Sequence, residues 1–346
     1  MLRRTFVQLS LALRKQKLDR VEAILKDAAE SGSVLSASAL VRQGKDEHRW
    51  VVGKTRAADP IYLLASITKP MTAAGVMVLA DRHELQLTDP VRKFIPEFHG
   101  DGRGTVLIRH LLTHTSGLPD MLPDNDALRE RHAPLADFVA GACRVPLLFA
   151  PGTQCKYQSM GILLAAEIAE RITNMKLRDW LKKSIFDPLG MKSTALGLGQ
   201  YKIPDTEQSQ VTGHDGWNWN SPYWRNLGAP WGGAHSNTSD VLRFVDYFLT
   251  PGGDSRVVKP ETARAMVIDQ NLGLNEPWGL GWMVNGTLFG KACSPGTFGH
   301  WGSTGTVCWA DPKTGTRMVL LTTKPAEQSR ASVLGPVSDA VAEAAI

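Results

Sequence analysis

Ser66-Ile67-Thr68-Lys69 sets an alcohol and a primary amine three positions apart. Residues so spaced on a helix share a face, so the Lys69 ammonium can stand beside the Ser66 hydroxyl. A lone serine is a poor nucleophile near neutral pH because its proton has nowhere to go. A lysine stripped of water among apolar neighbours loses basicity and can accept that proton. A helix start also offers unpaired backbone N–H groups where the charge of a tetrahedral adduct would gather. The tetrapeptide alone reads equally as an N-capping serine next to a solvated lysine. Pro70 disfavours helical geometry at Lys69, so the regular helix is expected to begin a residue or two late. No second Ser-x-x-Lys occurs in the chain.

Further motifs follow in order. Arg109-His110-Leu111-Leu112-Thr113-His114-Thr115-Ser116-Gly117-Leu118-Pro119 precedes Pro151-Gly152 and Lys156-Tyr157-Gln158-Ser159. Trp231-Gly232-Gly233-Ala234-His235-Ser236, Ser239-Asp240-Val241, Gly279-Leu280-Gly281-Trp282 and Phe298-Gly299-His300-Trp301-Gly302-Ser303 come later. In this order, and from about Leu18 to the C-terminus, the chain resembles the serine β-lactamase-like superfamily. Within it the resemblance is to class C β-lactamases, family VIII esterases and D-aminopeptidase-type penicillin-binding proteins.

The resemblance implies that Ser66 is the acylated nucleophile and Lys69 its base. Tyr157, matching the tyrosine of the family's Tyr-x-Asn motif, would share the proton, pass it to the leaving group and later activate water. Reaching a phenolate near neutral pH needs a phenol whose pKa a neighbouring cation lowers. The backbone N–H groups of Ser66 and Ser303 would form the oxyanion hole. His300-Trp301-Gly302 would occupy the strand that carries Lys-Thr-Gly in β-lactamases, placing these residues, with Ser159 and Trp231, against the substrate. No cofactor and no metal are implied.

Two positions depart from the family pattern. Ser159 stands where Asn is usual, and a hydroxyl cannot both accept from lysine and donate to an amide as a carboxamide does. His300 replaces a permanent cation, and an unperturbed imidazole is mostly neutral at pH 7. Both changes weaken recognition of an anionic amide. They favour a smaller or uncharged acyl compound, most simply a carboxylic ester. A β-lactam or D-amino-acid amide is the alternative substrate, and a non-catalytic ligand-binding homologue is the alternative role.

Other signals are turned aside by their surroundings. Lys313-Thr314-Gly315 follows Asp311-Pro312, a turn signal between two strands. His110 and His114 have the spacing of a zinc pair, but a zincin needs Glu between them and Leu111 is there. Trp217, Trp219, Tyr223, Trp224 and Trp231 crowd one loop region. They either wall an apolar acyl pocket or pack beneath the loop. Gly-x-Ser-x-Gly is absent, which argues against an α/β-hydrolase.

The elements that must position these groups follow from periodicity. Helices are expected at Leu18–Ala29, Pro70–Leu79, Val106–Leu112, Leu135–Ala142, Ser159–Ile172, Leu177–Ile185, a Ser239-capped Val241–Phe248, and Val337–Ile346. Strands are expected at Ser33–Val41, Trp50–Val52, Gly281–Asn285, Thr306–Ala310 and Met318–Thr323, with an extended segment Ile61–Ala65 leading to Ser66. Strands at both ends with helices between predict an α+β fold, an antiparallel sheet flanked by helices and interrupted by a mostly helical lobe. The expected division is a lead-in over 1–16, a sheet lobe from 17–85 and 225–346, and a helical lobe with the Trp-rich loop over 86–224.

Composition bounds the rest. The chain has 346 residues, 43% apolar and 21% charged, which excludes a disordered or fibrous protein. Its net charge of +5 is spread along the chain, so no nucleic-acid footprint appears. No apolar run is long enough to cross a bilayer. Arg3-Arg4-Thr5-Phe6-Val7 resembles a twin-arginine export signal, but the apolar stretch stops at Arg14-Lys15 without a small-residue cleavage site. An attached lead-in and a cytoplasmic location are the expectation. The four cysteines, Cys143, Cys155, Cys293 and Cys308, form no Cys-x-x-Cys pair and suit a reducing compartment. The partner expected is a small acyl substrate, and the oligomeric state is left open.

Overall fold

The computed structural model describes residues 14–55, 57–250 and 256–345. The Arg3–Val7 stretch and Ile346 lie outside the described residues. Among the described residues nine strands form two sheets. The larger takes β1 (Ser36–Gln43), β2 (Asp46–Gly53), β6 (Met283–Val284), β7 (Phe298–Gly302), β8 (Thr306–Asp311) and β9 (Thr316–Thr322) in the order β2-β1-β9-β8-β7-β6. Every neighbouring pair is antiparallel. The smaller joins β3 (Tyr62–Leu63), β4 (Ala195–Leu196) and β5 (Ala234–Ser236) in the order β3-β5-β4.

Side-chain alternation along the strands separates two cores. Ala37, Ala39, Val41, Val307, Trp309, Met318 and Leu320 face an outer layer, where the helices Lys15–Glu30 and Gly335–Ala344 pack side by side. Their alternates Leu40, Cys308, Ala310, Val319 and Leu321 face inward, towards the helix Thr68–Asp81 and the helical region beyond. Thr68 to Leu79 is buried without a break. A helix apolar all round belongs in the middle of a domain, and this one carries Lys69 into it.

The expected elements recur with shifted ends, and the shifts have local causes. A short 3-10 turn, Ala65–Ile67, precedes the regular helix, which begins two residues after Ser66, at Thr68. Lys69 is helical despite the proline after it, because Pro70 falls in the first turn, where its missing N–H has no partner to lose. Asn237, not Ser239, caps the helix Thr238–Leu249, accepting from the Asp240 N–H. Ser239 is instead bonded to Asp59. The strand expected over Gly281–Asn285 shrinks to Met283–Val284, because Gly281 has φ +87° and donates to the Leu112 carbonyl across the interior. Lys313-Thr314-Gly315 forms the β8–β9 turn, with Lys313 N–H bonded to Asp311. Among the described residues no helix is long and apolar enough to cross a membrane.

Candidate active site

Ser66 sits in the 3-10 turn between β3 and the buried helix. That turn is fastened from three sides. Thr304 Oγ1 and Thr306 Oγ1 donate to the carbonyls of Leu63 and Leu64 at 2.6 and 2.8 Å. Thr68 Oγ1 donates to the Ala65 carbonyl at 2.7 Å and accepts from the Ala234 N–H at 3.0 Å. Gly302 completes the fit. A Cβ there would stand 2.1 Å from Thr306 Oγ1 and 2.3 Å from the Leu64 oxygen, so glycine lets β7 touch the Ser66 segment. Ala65, just before the nucleophile, is held at φ +48°, a left-handed conformation that costs an L-residue about 1–2 kcal/mol.

Lys69 Nζ lies 3.0 Å from Ser66 Oγ and donates to the Trp231 carbonyl at 3.1 Å. Burial without a carboxylate partner brings its pKa down to about 7, against a smaller opposing pull from Asp120. The amine is therefore largely free just above neutrality, which is what a base for Ser66 needs.

Tyr157 arrives from the opposite side on the loop before the helix Ser159–Thr173. The loop is pinned to the Arg109–Pro119 motif. Lys156 N–H donates to the His114 carbonyl at 2.9 Å, and Gln158 N–H donates to His114 Nδ1 at 3.2 Å. The Gln158 amide bridges Ser116 Oγ and the His110 carbonyl. Lys69 Nζ lies 4.6 Å from the Tyr157 ring centroid. His114, Trp278 and His300 surround that ring at 4.8, 5.8 and 6.1 Å.

This cage corrects the expectation of a lowered phenol pKa. Burial pushes the Tyr157 hydroxyl above its ordinary 10, and the neighbouring Ser66 offsets only part of the rise. The Asp120 carboxylate adds to the rise. Tyr157 is a neutral hydroxyl in this site, not a phenolate.

A cavity of about 300 Å³ opens over these groups. Ser66, Tyr157, Ser159, Ser303 and Trp231 all line it, so the sequence brought these five to one place. Trp219 and Trp224 wall it too. Trp217 and Tyr223 do not: they stack on His214 and His132. The Trp-rich loop thus divides between the two roles open to it.

The remaining expected residues go elsewhere. Trp301 is not at the cavity. It lies on the outer face of β7, stacked on Phe289 with the Arg330 guanidinium 4.5 Å above its ring, and its indole N–H donates to the Leu288 carbonyl. Adjacent residues of a strand point to opposite faces, so His300 and Trp301 cannot both face Ser66. His300 faces inward but lies beneath Tyr157 rather than in the cavity. Its Nδ1–H donates to the Trp301 carbonyl at 2.6 Å, and burial with Lys69 nearby drives its pKa down to about 3. Gly302 acts through backbone fit alone.

Three residues at the site escaped the motif reading. Asp120 follows Ser-Gly-Leu-Pro directly, and it accepts from Ser159 Oγ at 2.6 Å at the cavity rim. Trp278 adjoins the Gly-Leu-Gly-Trp signature and stacks edge-on against His114 at 4.4 Å. Arg129, on a short helix with no motif around it, also lines the cavity.

A buried lysine beside a partly exposed serine, an aromatic hydroxyl and an acyl-sized cavity between a sheet and a helical region define a serine acyl-transfer enzyme. The Beta-lactamase family model matches residues 21–342. The chain belongs to the β-lactamase family of serine hydrolases. A protein of Escherichia coli (strain K12) named as a D-alanyl-D-alanine carboxypeptidase is 29% identical, with 77% of this chain and 69% of that protein covered. Esterase EstB of Burkholderia gladioli is 31% identical over 57% of this chain, and the match spans 55% of the esterase. Among solved structures, EstCE1, described as a hydrolase with promiscuous acyltransferase activity, superposes with a TM-score of 0.77 at 19% identity, covering 95% of this chain and 99% of that one.

Proposed function

We propose that the protein hydrolyses carboxylic esters through an acyl-enzyme on Ser66. The observation that carries this reading is the buried Lys69 amine 3.0 Å from Ser66 Oγ, with its pKa brought down to about 7. Ser66 Oγ attacks the ester carbonyl carbon, and its proton passes to Lys69 Nζ. Negative charge develops on the carbonyl oxygen, towards the backbone N–H groups of Ser66 and Ser303. The carbon–oxygen bond to the alcohol then breaks, and the Lys69 proton reaches the departing oxygen through the Tyr157 hydroxyl. Water attacks the acyl-Ser66 carbonyl in the second half, giving its proton to Lys69 by the same route. The bond from the acyl carbon to Ser66 Oγ then breaks, Lys69 returns the proton to Ser66 Oγ, and the acid is freed.

Two features support an ester over an amide. Ser159 spends its hydroxyl proton on Asp120 and has no carboxamide to grip an amide bond. An alcohol leaves with little help from a proton, whereas an amine must be protonated, and the raised Tyr157 pKa makes a weak acid. The relative named esterase EstB supports this choice. Hydrolysis of p-nitrophenyl butyrate and of nitrocefin under the same conditions tests it. The ester is expected to have the higher kcat/KM, with both activities lost in Ser66→Ala. A higher kcat/KM for nitrocefin overturns the ester preference.

A further inference from the structure

Arg129 is the cation that the cavity wall was expected to lack. It lines the same cavity as Ser66 and Tyr157. Its guanidinium carbon stands over the Trp224 ring, 3.7 Å from the centroid, with the Trp217 ring at 5.5 Å. A cation over the face of a tryptophan is held there by the ring's quadrupole. Among the described residues no carboxylate pairs with Arg129, and its Nε is buried without a hydrogen-bond partner. Asp126, one turn earlier, acts only at longer range, and burial brings the Arg129 pKa down to about 10, so the charge persists. A charged guanidinium with no carboxylate partner, lining the same cavity as Ser66, matches a carboxylate, which takes two parallel N–H bonds from such a fork.

Resting on the ester reading above, we propose that Arg129 is a specificity-determining residue that binds a carboxylate at the far end of the substrate's acyl chain. The preferred substrates are then half-esters of dicarboxylic acids, cleaved at the esterified end. The charge sits on the acyl half, so Arg129 holds the acyl-enzyme as well as the substrate. The expectation of an uncharged substrate came from positions 159 and 300. Here the positive charge enters from the helix Asn125–Glu130 instead of from β7.

The test compares p-nitrophenyl monoesters of adipic and suberic acids with p-nitrophenyl hexanoate and octanoate, in wild type, Arg129→Lys and Arg129→Met. The quantity read is the ratio of kcat/KM for the acidic ester to that for its neutral counterpart. That ratio is expected to fall about ten- to a hundred-fold in Arg129→Met, the range for a lost charge-assisted hydrogen bond. Arg129→Lys should lie between, and added salt should lower the wild-type ratio. Collapse of the Trp224 stack alone lowers both esters together and leaves the ratio in place. A ratio equal within about two-fold in wild type and Arg129→Met therefore overturns the proposal. Should neither ester turn over, the ester reading fails and the anion site is read separately, by protection of Ser66 from a fluorophosphonate by monomethyl adipate. Protection in wild type that disappears in Arg129→Met supports the site, and protection absent from both, or equal in both, ends it.

Discussion

In the proposed mechanism three side chains carry the reaction, and each is tuned by what surrounds it rather than by its own chemistry. Lys69 is suited to act as the base because burial removes the solvent that would keep it charged. Its free amine accumulates above its pKa, so kcat/KM for a neutral ester should rise with pH through about 7 and then level. Asp120 opposes the effect by favouring the charged amine. In Asp120→Asn the rising limb of the pH profile should move to lower pH, and a limb that stays in place or moves upward would detach Asp120 from Lys69. The histidine at 300 contributes no charge in this window, since its pKa is held near 3. The profile should therefore show no second step from an imidazole.

At the scale of elements, the nucleophile depends on how closely β7 approaches the turn that holds it. Gly302→Ala would press a methyl group into the Leu64 carbonyl and Thr306. It is expected to cost about 2–3 kcal/mol of stability and to lower kcat/KM at least ten-fold, read by thermal unfolding and ester hydrolysis. An unchanged melting temperature with full activity would show that β7 can yield at no cost. The same scale explains what could be read in advance. Ser66, Lys69, Tyr157 and Ser303 were legible because short motifs carry them at fixed places on helix starts and strand ends. Trp301 misled because motif adjacency says nothing about strand parity, and alternate residues of β7 face opposite layers. Arg129 was invisible for a different reason. Its place at the cavity depends on the packing of a six-residue helix against a tryptophan nearly a hundred positions away, and no local pattern encodes that.

For the whole molecule, the main sheet is assembled from residues 36–53 and 283–322, with the inner core and the site packed against one face. The strands at the two chain ends were foreseeable from their β-branched alternation. Their joining across more than two hundred residues followed only from the expected fold. Placing a lysine in this core has a global cost. Its folded pKa of about 7 lies below the ordinary 10.5, so between those values the unfolded chain binds the proton and the native chain does not. Stability therefore rises with pH across that window. Lys69→Met should be inactive yet more stable than wild type near pH 7, by about 2 kcal/mol, with the gain shrinking as pH approaches 10.5. A variant less stable than wild type at pH 7 would show that the amine's bonds to Ser66 and Trp231 outweigh its desolvation. The most direct test of the account is intact-protein and peptide mass spectrometry after treatment with a fluorophosphonate. The account predicts one adduct, on Ser66, absent in Ser66→Ala, forming faster as pH rises through about 7. A folded wild-type protein that takes up no label, or an adduct that persists in Ser66→Ala, would contradict it.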